Sequence, residues 1–464
     1  MMIAPKCASA TLSAGSPVTR ETVVLAPPVR GALPPELDGT FLLIGPNRLP
    51  QPPTRRPAAD APPWTGRPRD EHFFAGDGMV HALRLREGRC EEYRNRWLRT
   101  DRAARILGEL PAPGPRHGPN DNANANIVRH AGRTLALGDG GPRPLEIDAA
   151  LDTVARVDFD GTLRGGFAAH PQHDPVTGEL HAITMTPEPP YAAYLVVDVD
   201  GRVRRSVPVP LKQPVMLHAF SLTEHYALVY DLPVVFSPAA AAAGSRVPYV
   251  WDDGHGARLG LLPREGGADD ILWVEVSPCF VFHPVNAYET GRHIVVDVVR
   301  HPRVFDRYPS SPGETPPALV RWTVDAAAGT VQEEELCDIV QEFPVIDDRV
   351  RGARHRFAFT TALDPAGGEL LGGPALLRHD LAAGRTDAHR LPPGRTAGQA
   401  VFVPREPHAP EGDGWLLSMV ADERTGHGEL TVVDTADFTG PPAAAVPLPV
   451  RVPHGFHATW TDGA

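Results

Sequence analysis

Lysine is almost missing from this 464-residue chain: Lys6 and Lys212 stand against 43 arginines. Schiff-base or lysine-base chemistry is left with Lys212 as its candidate, and nothing around that residue supports the role. Cysteine is nearly as scarce. Cys7, Cys90, Cys279 and Cys337 are widely separated and form no C-x-x-C pair. They are too few and too dispersed for a disulfide framework or a thiolate metal site, which suits a reducing compartment. No 18-residue apolar run occurs, and residues 1–17 lack an apolar stretch of signal-peptide length, so a soluble, cytoplasmic protein is expected. Positive charge is not in excess either, with 57 acidic against 45 basic side chains and a net charge of −12. Nucleic-acid binders need Lys and Arg to neutralise phosphate, so no nucleic-acid partner is expected.

What the chain has in quantity is turn-forming sequence, 44 glycines and 52 prolines, which favours many short elements and β architecture. Short apolar, β-branched runs recur, each closed by an Asp- or Gly-bearing turn. Examples are Val154–Phe159 before Asp160-Gly161, Tyr194–Val199 before Asp200-Gly201, Leu319–Val324, Ala375–Leu381 and Leu430–Asp434. Asp-Gly between such runs is a strong hairpin signal. Using Asp158, Asp198, Asp325, Asp380 and Asp434 as markers gives gaps of 40, 127, 55 and 54. If 127 is two units, the repeat is roughly the size of a propeller blade, and Leu83–Gly88 marks an earlier one, for about seven in all. An irregular pair of β-sandwiches is the alternative. One domain over 1–464 is expected, with insertions at 51–70, 105–126, 232–249 and 302–318 covering one end of the scaffold. The apolar lead-in of the third, 232–236, is a candidate contact surface for a membrane.

Histidine is the informative residue type. Many of the twenty, such as His117, His255 and His408, lie in polar stretches and read as solvated surface. Four sit instead in apolar, strand-like segments: Phe167-Ala-Ala-His170, Val215-Met-Leu-His218, Phe280-Val-Phe-His283 and Gly455-Phe-His457. Their separations of 48, 65 and 174 residues approximate one, one and three blades, and equivalent inner-strand positions of a propeller meet at its axis. Taken singly, each is a core histidine satisfied by neighbours. Taken together, they are candidate ligands for a divalent first-row ion such as iron, copper, zinc or nickel. Neutral ligands would leave the full charge on the ion, calling for nearby carboxylates that orient the free N–H groups. A calcium-dependent propeller hydrolase would instead need a converging oxygen cage, for which the sequence gives no reason.

At these motifs the chain resembles the carotenoid cleavage oxygenases. The matching stretches run nearly end to end: Gly45-Pro-Asn47, His72-Phe-Phe-Ala-Gly-Asp-Gly-Met79, His130-Ala-Gly-Arg133, Ala169-His-Pro-Gln-His-Asp174, Phe282-His-Pro-Val-Asn-Ala-Tyr-Glu289, Glu342-Phe-Pro344, Phe402-Val-Pro404 and Gly455-Phe-His457. The resemblance implies a seven-bladed all-β propeller under a dome of loops and helices. It also implies one Fe(II) held by His170, His218, His283 and His457; His454 falls at a variable position. Family members set three glutamates behind three histidines. Glu342 matches one, whereas the others are replaced by Asp139 and Gln399. Both replacements keep an acceptor for orientation while reducing length or charge. In stilbene-cleaving relatives a Tyr and a Lys hold the phenol at segments matching Trp97 and Arg133. Trp offers a flat apolar wall, and Arg cannot act as a base. Phe282, beside His283, is a candidate tunnel wall. The expected function is O2-dependent cleavage of a C=C bond in a carotenoid or apocarotenoid, an apolar conjugated substrate. The alternatives are cleavage of a stilbene or phenylpropenoid, or a non-catalytic polyene-binding propeller with an altered metal surround.

Overall fold

In the computed structural model, which describes residues 17–49, 73–118, 120–306, 315–364, 372–453 and 455–463, seven of the eight sheets are four- or five-stranded antiparallel blades. Blade 1 runs outward from His457–Asp462 through Gly39–Pro46, Gly78–Arg86 and Arg89–Trp97 to Thr22–Leu25. Blades 2 to 6 begin at inner strands Asn126–His130, Gln172–His173, Ser221–Leu222, Pro284–Thr290 and Gln341–Val345. Blade 7 begins at Arg395–Pro404 and borrows Arg30–Gly31 as its outer edge. The propeller therefore holds, and the sandwich alternative does not.

Strand composition follows position in the blade. Middle strands are covered on both faces and are apolar almost throughout, as in His293–Arg300 with its Ile-Val-Val-Asp-Val-Val interior. Outer strands such as Val203–Pro208 alternate, because one face meets water. The apolar core is divided rather than central. One cluster lies between each neighbouring pair of blades, from Leu42, Ile44, Ile127 and Ala136 between blades 1 and 2 to Phe41, Leu83, Trp415 and Leu417 between blades 7 and 1. Burial at roughly 25 cal/mol per Å² thus cements blade to blade and leaves the axis free for polar groups.

The ring is closed by strand pairing. Strand His457–Asp462 is antiparallel to Gly39–Pro46, with Ile44 opposite His457. Four of the five Asp markers close the third strand of their blades, Asp325, Asp380 and Asp434 as its last residue and Asp198 just after it, and the Leu83–Gly88 turn does the same. Asp158 does not: it follows the fourth strand of blade 2, and the equivalent position there is Asp148. The long gap is blade 4, whose third strand Arg258–Pro263 ends on Pro-Arg rather than Asp.

Of the expected insertions, 51–70 and residues 307–314 of 302–318 lie outside the described residues. Region 105–126 begins in helix Asp101–Leu107, capped by the Thr100 side chain at its start and by Gly108 at φ 71° after its end. In 232–249, strands Val234–Phe236 and Tyr249–Trp251 pair around the short helix Pro238–Ala242. The 232–236 run, expected to offer a membrane contact, is packed inward. Leu232, Val234 and Val235 are buried in the clusters that join blade 4 to blades 5 and 3, so this apolar run faces protein. No helix among the described residues is long and apolar enough to cross a membrane.

Candidate metal centre

The four histidines flagged in the sequence do meet. Their ligand-capable atoms all lie within 4.8 Å of one another. His170 and His218 come just before the two-residue inner strands of blades 3 and 4, His283 just before that of blade 5, and His457 opens that of blade 1. The rings are packed edge to face or tilted, with His170 centred 4.3 Å from His218 and 4.5 Å from His457.

The other three blades supply acceptors. Asp139, just beyond the second strand of blade 2, lies 2.8 Å from His218 Nδ1. Glu342, on the inner strand of blade 6, accepts from His283 Nδ1 at 2.7 Å. Gln399, on the inner strand of blade 7, offers Oε1 to His457 Nδ1 at 3.2 Å and accepts the Ala458 N–H at 2.8 Å. A backbone N–H can only donate, which fixes the amide orientation. Each blade therefore contributes one residue to the ring of groups. A carboxylate or carbonyl oxygen can only accept, so the proton of each of these three imidazoles sits on Nδ1 and the lone pair on Nε2.

The electrostatics favour lone pairs over charge. Burial, followed by the neighbouring imidazoles, drives His170 and His457 well below the ordinary histidine range. Burial also lowers His283, with Glu342 pulling the other way. Burial alone would raise the Glu342 carboxyl, yet His283 and His301 hold it well below the usual carboxylate range. His218 Nε2 and His283 Nε2 face each other at 3.3 Å, two acceptors that cannot satisfy one another. His170 Nε2 is buried without a hydrogen-bond partner. Orphaned, convergent imidazole nitrogens fit a divalent cation, and an all-imidazole set is compatible with several first-row metals.

The other expected site residues are placed differently. Phe282 is buried and stands edge-on to His218 at 5.5 Å, a brace behind the ligand set rather than an open wall. Trp97 is enclosed by Leu49, Met79 and Ala103, with its indole N–H on the Asn47 carbonyl at 2.9 Å. Arg133 begins the strand whose far end, about 13 Å on at strand rise, leads to Asp139. It is half-exposed and ion-paired with Asp160 at 3.4 Å. Neither Trp97 nor Arg133 sits with the histidines.

Aromatic neighbours passed over as site residues lie inside the quoted motifs. The Phe343 ring is 5.5 Å from His283 and 5.9 Å from His457. Its φ of 57° is the left-handed region, unusual for a bulky residue, and the strand register shifts there. That backbone aims its N–H at Glu342 Oε2, 2.5 Å away. Phe74 packs on Phe456, the residue before His457, at 5.5 Å and on Phe282 at 6.5 Å. The signal in sequence was aromatic residues adjoining polar site residues.

Comparison with known proteins agrees with this geometry. The family model described as retinal pigment epithelial membrane protein matches residues 15–462. The chain is 38% identical to a carotenoid cleavage oxygenase of Mycobacterium tuberculosis, with 96% of each covered. It is 31% identical to resveratrol cleavage oxygenase 1 of Aspergillus fumigatus, covering 94% of this chain and 92% of that one. The crystal structure of Pseudomonas brassicacearum lignostilbene dioxygenase superposes with a TM-score of 0.84 at 26% identity, over 96% of this chain and 97% of that one. The chain belongs to the carotenoid cleavage oxygenases, an oxidoreductase family.

Proposed function

We propose that the protein cleaves a C=C bond of a carotenoid or apocarotenoid oxidatively, consuming O2 and yielding carbonyl products, with one Fe(II) held by His170, His218, His283 and His457. The observation that carries this reading is the convergence of four imidazoles, with His170 Nε2 buried without a partner and the Nε2 lone pairs of His218 and His283 facing each other. Bound there, a redox-active ion would supply the activation of O2 that a conjugated alkene needs. The chain's own residues do the rest. Asp139, Glu342 and Gln399 fix the imidazole tautomers and hold the rings toward one point. Phe343, beside His283 and His457, and Phe456, packed on Phe74, surround the hub with buried apolar rings that exclude water.

A second reading, cleavage of a hydroxystilbene, is favoured by the resemblance to resveratrol- and lignostilbene-cleaving proteins. The placement of Trp97 and Arg133 away from the histidines also removes the sequence ground for preferring a polyene to a phenol. One experiment separates the cases: metal analysis of the purified protein, then oxygen uptake with a panel of apocarotenoids and hydroxystilbenes. Bound iron with apocarotenal products supports the first reading. Aldehydes from the stilbenes alone support the second. Stoichiometric polyene binding without oxygen uptake by iron-loaded protein would overturn both.

A further inference from the structure

Among the described residues, His301 is the fully buried imidazole that reaches the hub without joining it. It follows strand His293–Arg300 of blade 5 and is pinned across the chain to Phe280 by a pair of backbone hydrogen bonds, each 2.8 Å. Its Nε2 lies 2.8 Å from Glu342 Oε1. Glu342 Oε2 meanwhile takes the His283 Nδ1 hydrogen and the Phe343 N–H. The carboxylate thus bridges two imidazoles, one on each oxygen. Since a carboxylate only accepts, His301 Nε2 carries its hydrogen, and its Nδ1 is left buried with no partner. An unpaired buried nitrogen is unfavourable, so the packing alone would be served as well by an apolar ring. Phe282 also stands edge-on to His301, at 5.1 Å, and to His218.

Support for the three acceptors is unequal. Glu342 has three donors around it, whereas Gln399 has the Ala458 N–H beside its histidine and Asp139 is about one-third exposed. We propose that His301 is a positioning residue: by holding Glu342 Oε1 it fixes the carboxylate against His283, and through His283 it sets the affinity and ligand field of the hub for a divalent ion. The inference rests on the reading that the four histidines bind such an ion.

The test is titration of metal-free protein with Co2+, followed by visible ligand-field absorption, in wild type, His301→Gln and His301→Phe. The Gln amide nitrogen can replace Nε2 as donor, so His301→Gln should bind within about twofold of wild type and with the same spectrum. His301→Phe should bind about tenfold more weakly, at the low end of the 10–100-fold cost of outer-shell changes, with a displaced band. Should His301→Phe fail to fold, His301→Asn, whose amide is too short to reach Oε1, takes its place. Equal affinity and spectrum in wild type and the donor-less variant would overturn the proposal, as would equal loss in the Gln and Phe variants. A wild type that binds no cobalt at all refutes the underlying metal reading instead.

Discussion

Two populations of buried histidine share this fold and differ in how their nitrogens are spent. In the blades, His181 places Nδ1 2.7 Å from the Tyr194 hydroxyl, and its Nε2 accepts from Arg264 at 3.0 Å. His379 is likewise tied at both ends, to Thr386 at 2.9 Å and Thr360 at 3.1 Å. At the hub, Nδ1 of His218, His283 and His457 is engaged in the same way, but Nε2 points at other imidazoles. His181 is an instructive relative of the hub residues, because a guanidinium fills the position that a metal ion would fill at the axis. Burial does not distinguish a hub histidine from a structural one; convergence of the second nitrogens on one point does.

The sharpest way to break this comparison is to remove one member of each population. His283→Ala should abolish stable metal binding, weakening it by more than the ~100-fold upper range for outer-shell changes, and oxygen uptake should vanish with it. His181→Ala should leave metal content at wild-type level while costing about 1–3 kcal/mol in urea denaturation, from unpaired partners. Metal loss in both variants would erase the distinction. Next in size, Glu342→Gln should weaken metal binding roughly 10–100-fold, read by competition with a chelator, because a charged acceptor of His283 becomes neutral.

The blade histidines make a prediction in pH. Burial lowers His379 from the ordinary 6.5 to about 4, so between those values the unfolded chain binds the extra proton. Stability from this group is therefore retained above about 6.5 and falls as pH drops toward 4, by about 2 kcal/mol between pH 7 and pH 5. Denaturant midpoints at both pH values should show a shallower loss in His379→Gln, and identical slopes would refute the assignment. The smallest effect expected is from Gln399→Glu. It adds a charge behind His457, and metal affinity should rise about three- to tenfold. Chelator competition showing no rise would indicate that orientation alone matters there.

Much of this was legible in the sequence. The four hub histidines stood out because each sits in an apolar segment whose strand must be buried, and the Asp markers worked because the third-to-fourth strand turn of a blade is a tight Asx-type turn. Asp158 misled because blade 2 carries a second acidic turn one strand later. The apolar run 232–236 looked exposed, since a sequence does not say which side of an insertion faces the scaffold. Arg133 shows the same limit, because position along a strand decides which end of the propeller a side chain serves. His255 was read as surface from its polar neighbours, yet its side chain is buried against Asp231 at 2.7 Å. His301 lay beyond pattern reading, because its links to the ligand motifs, through Glu342 and the Phe280 backbone, are made in space and not along the chain.

The closing pair of strands has a consequence for how the molecule comes into being. His457 reaches the hub only when its strand zips onto Gly39–Pro46, near the opposite end of the sequence. A nascent chain emerging from the ribosome can build six of its wedges yet cannot assemble the four-nitrogen cage until translation has passed residue 457. On the four-histidine reading, capture of an ion would have to wait until the His457 strand has joined Gly39–Pro46.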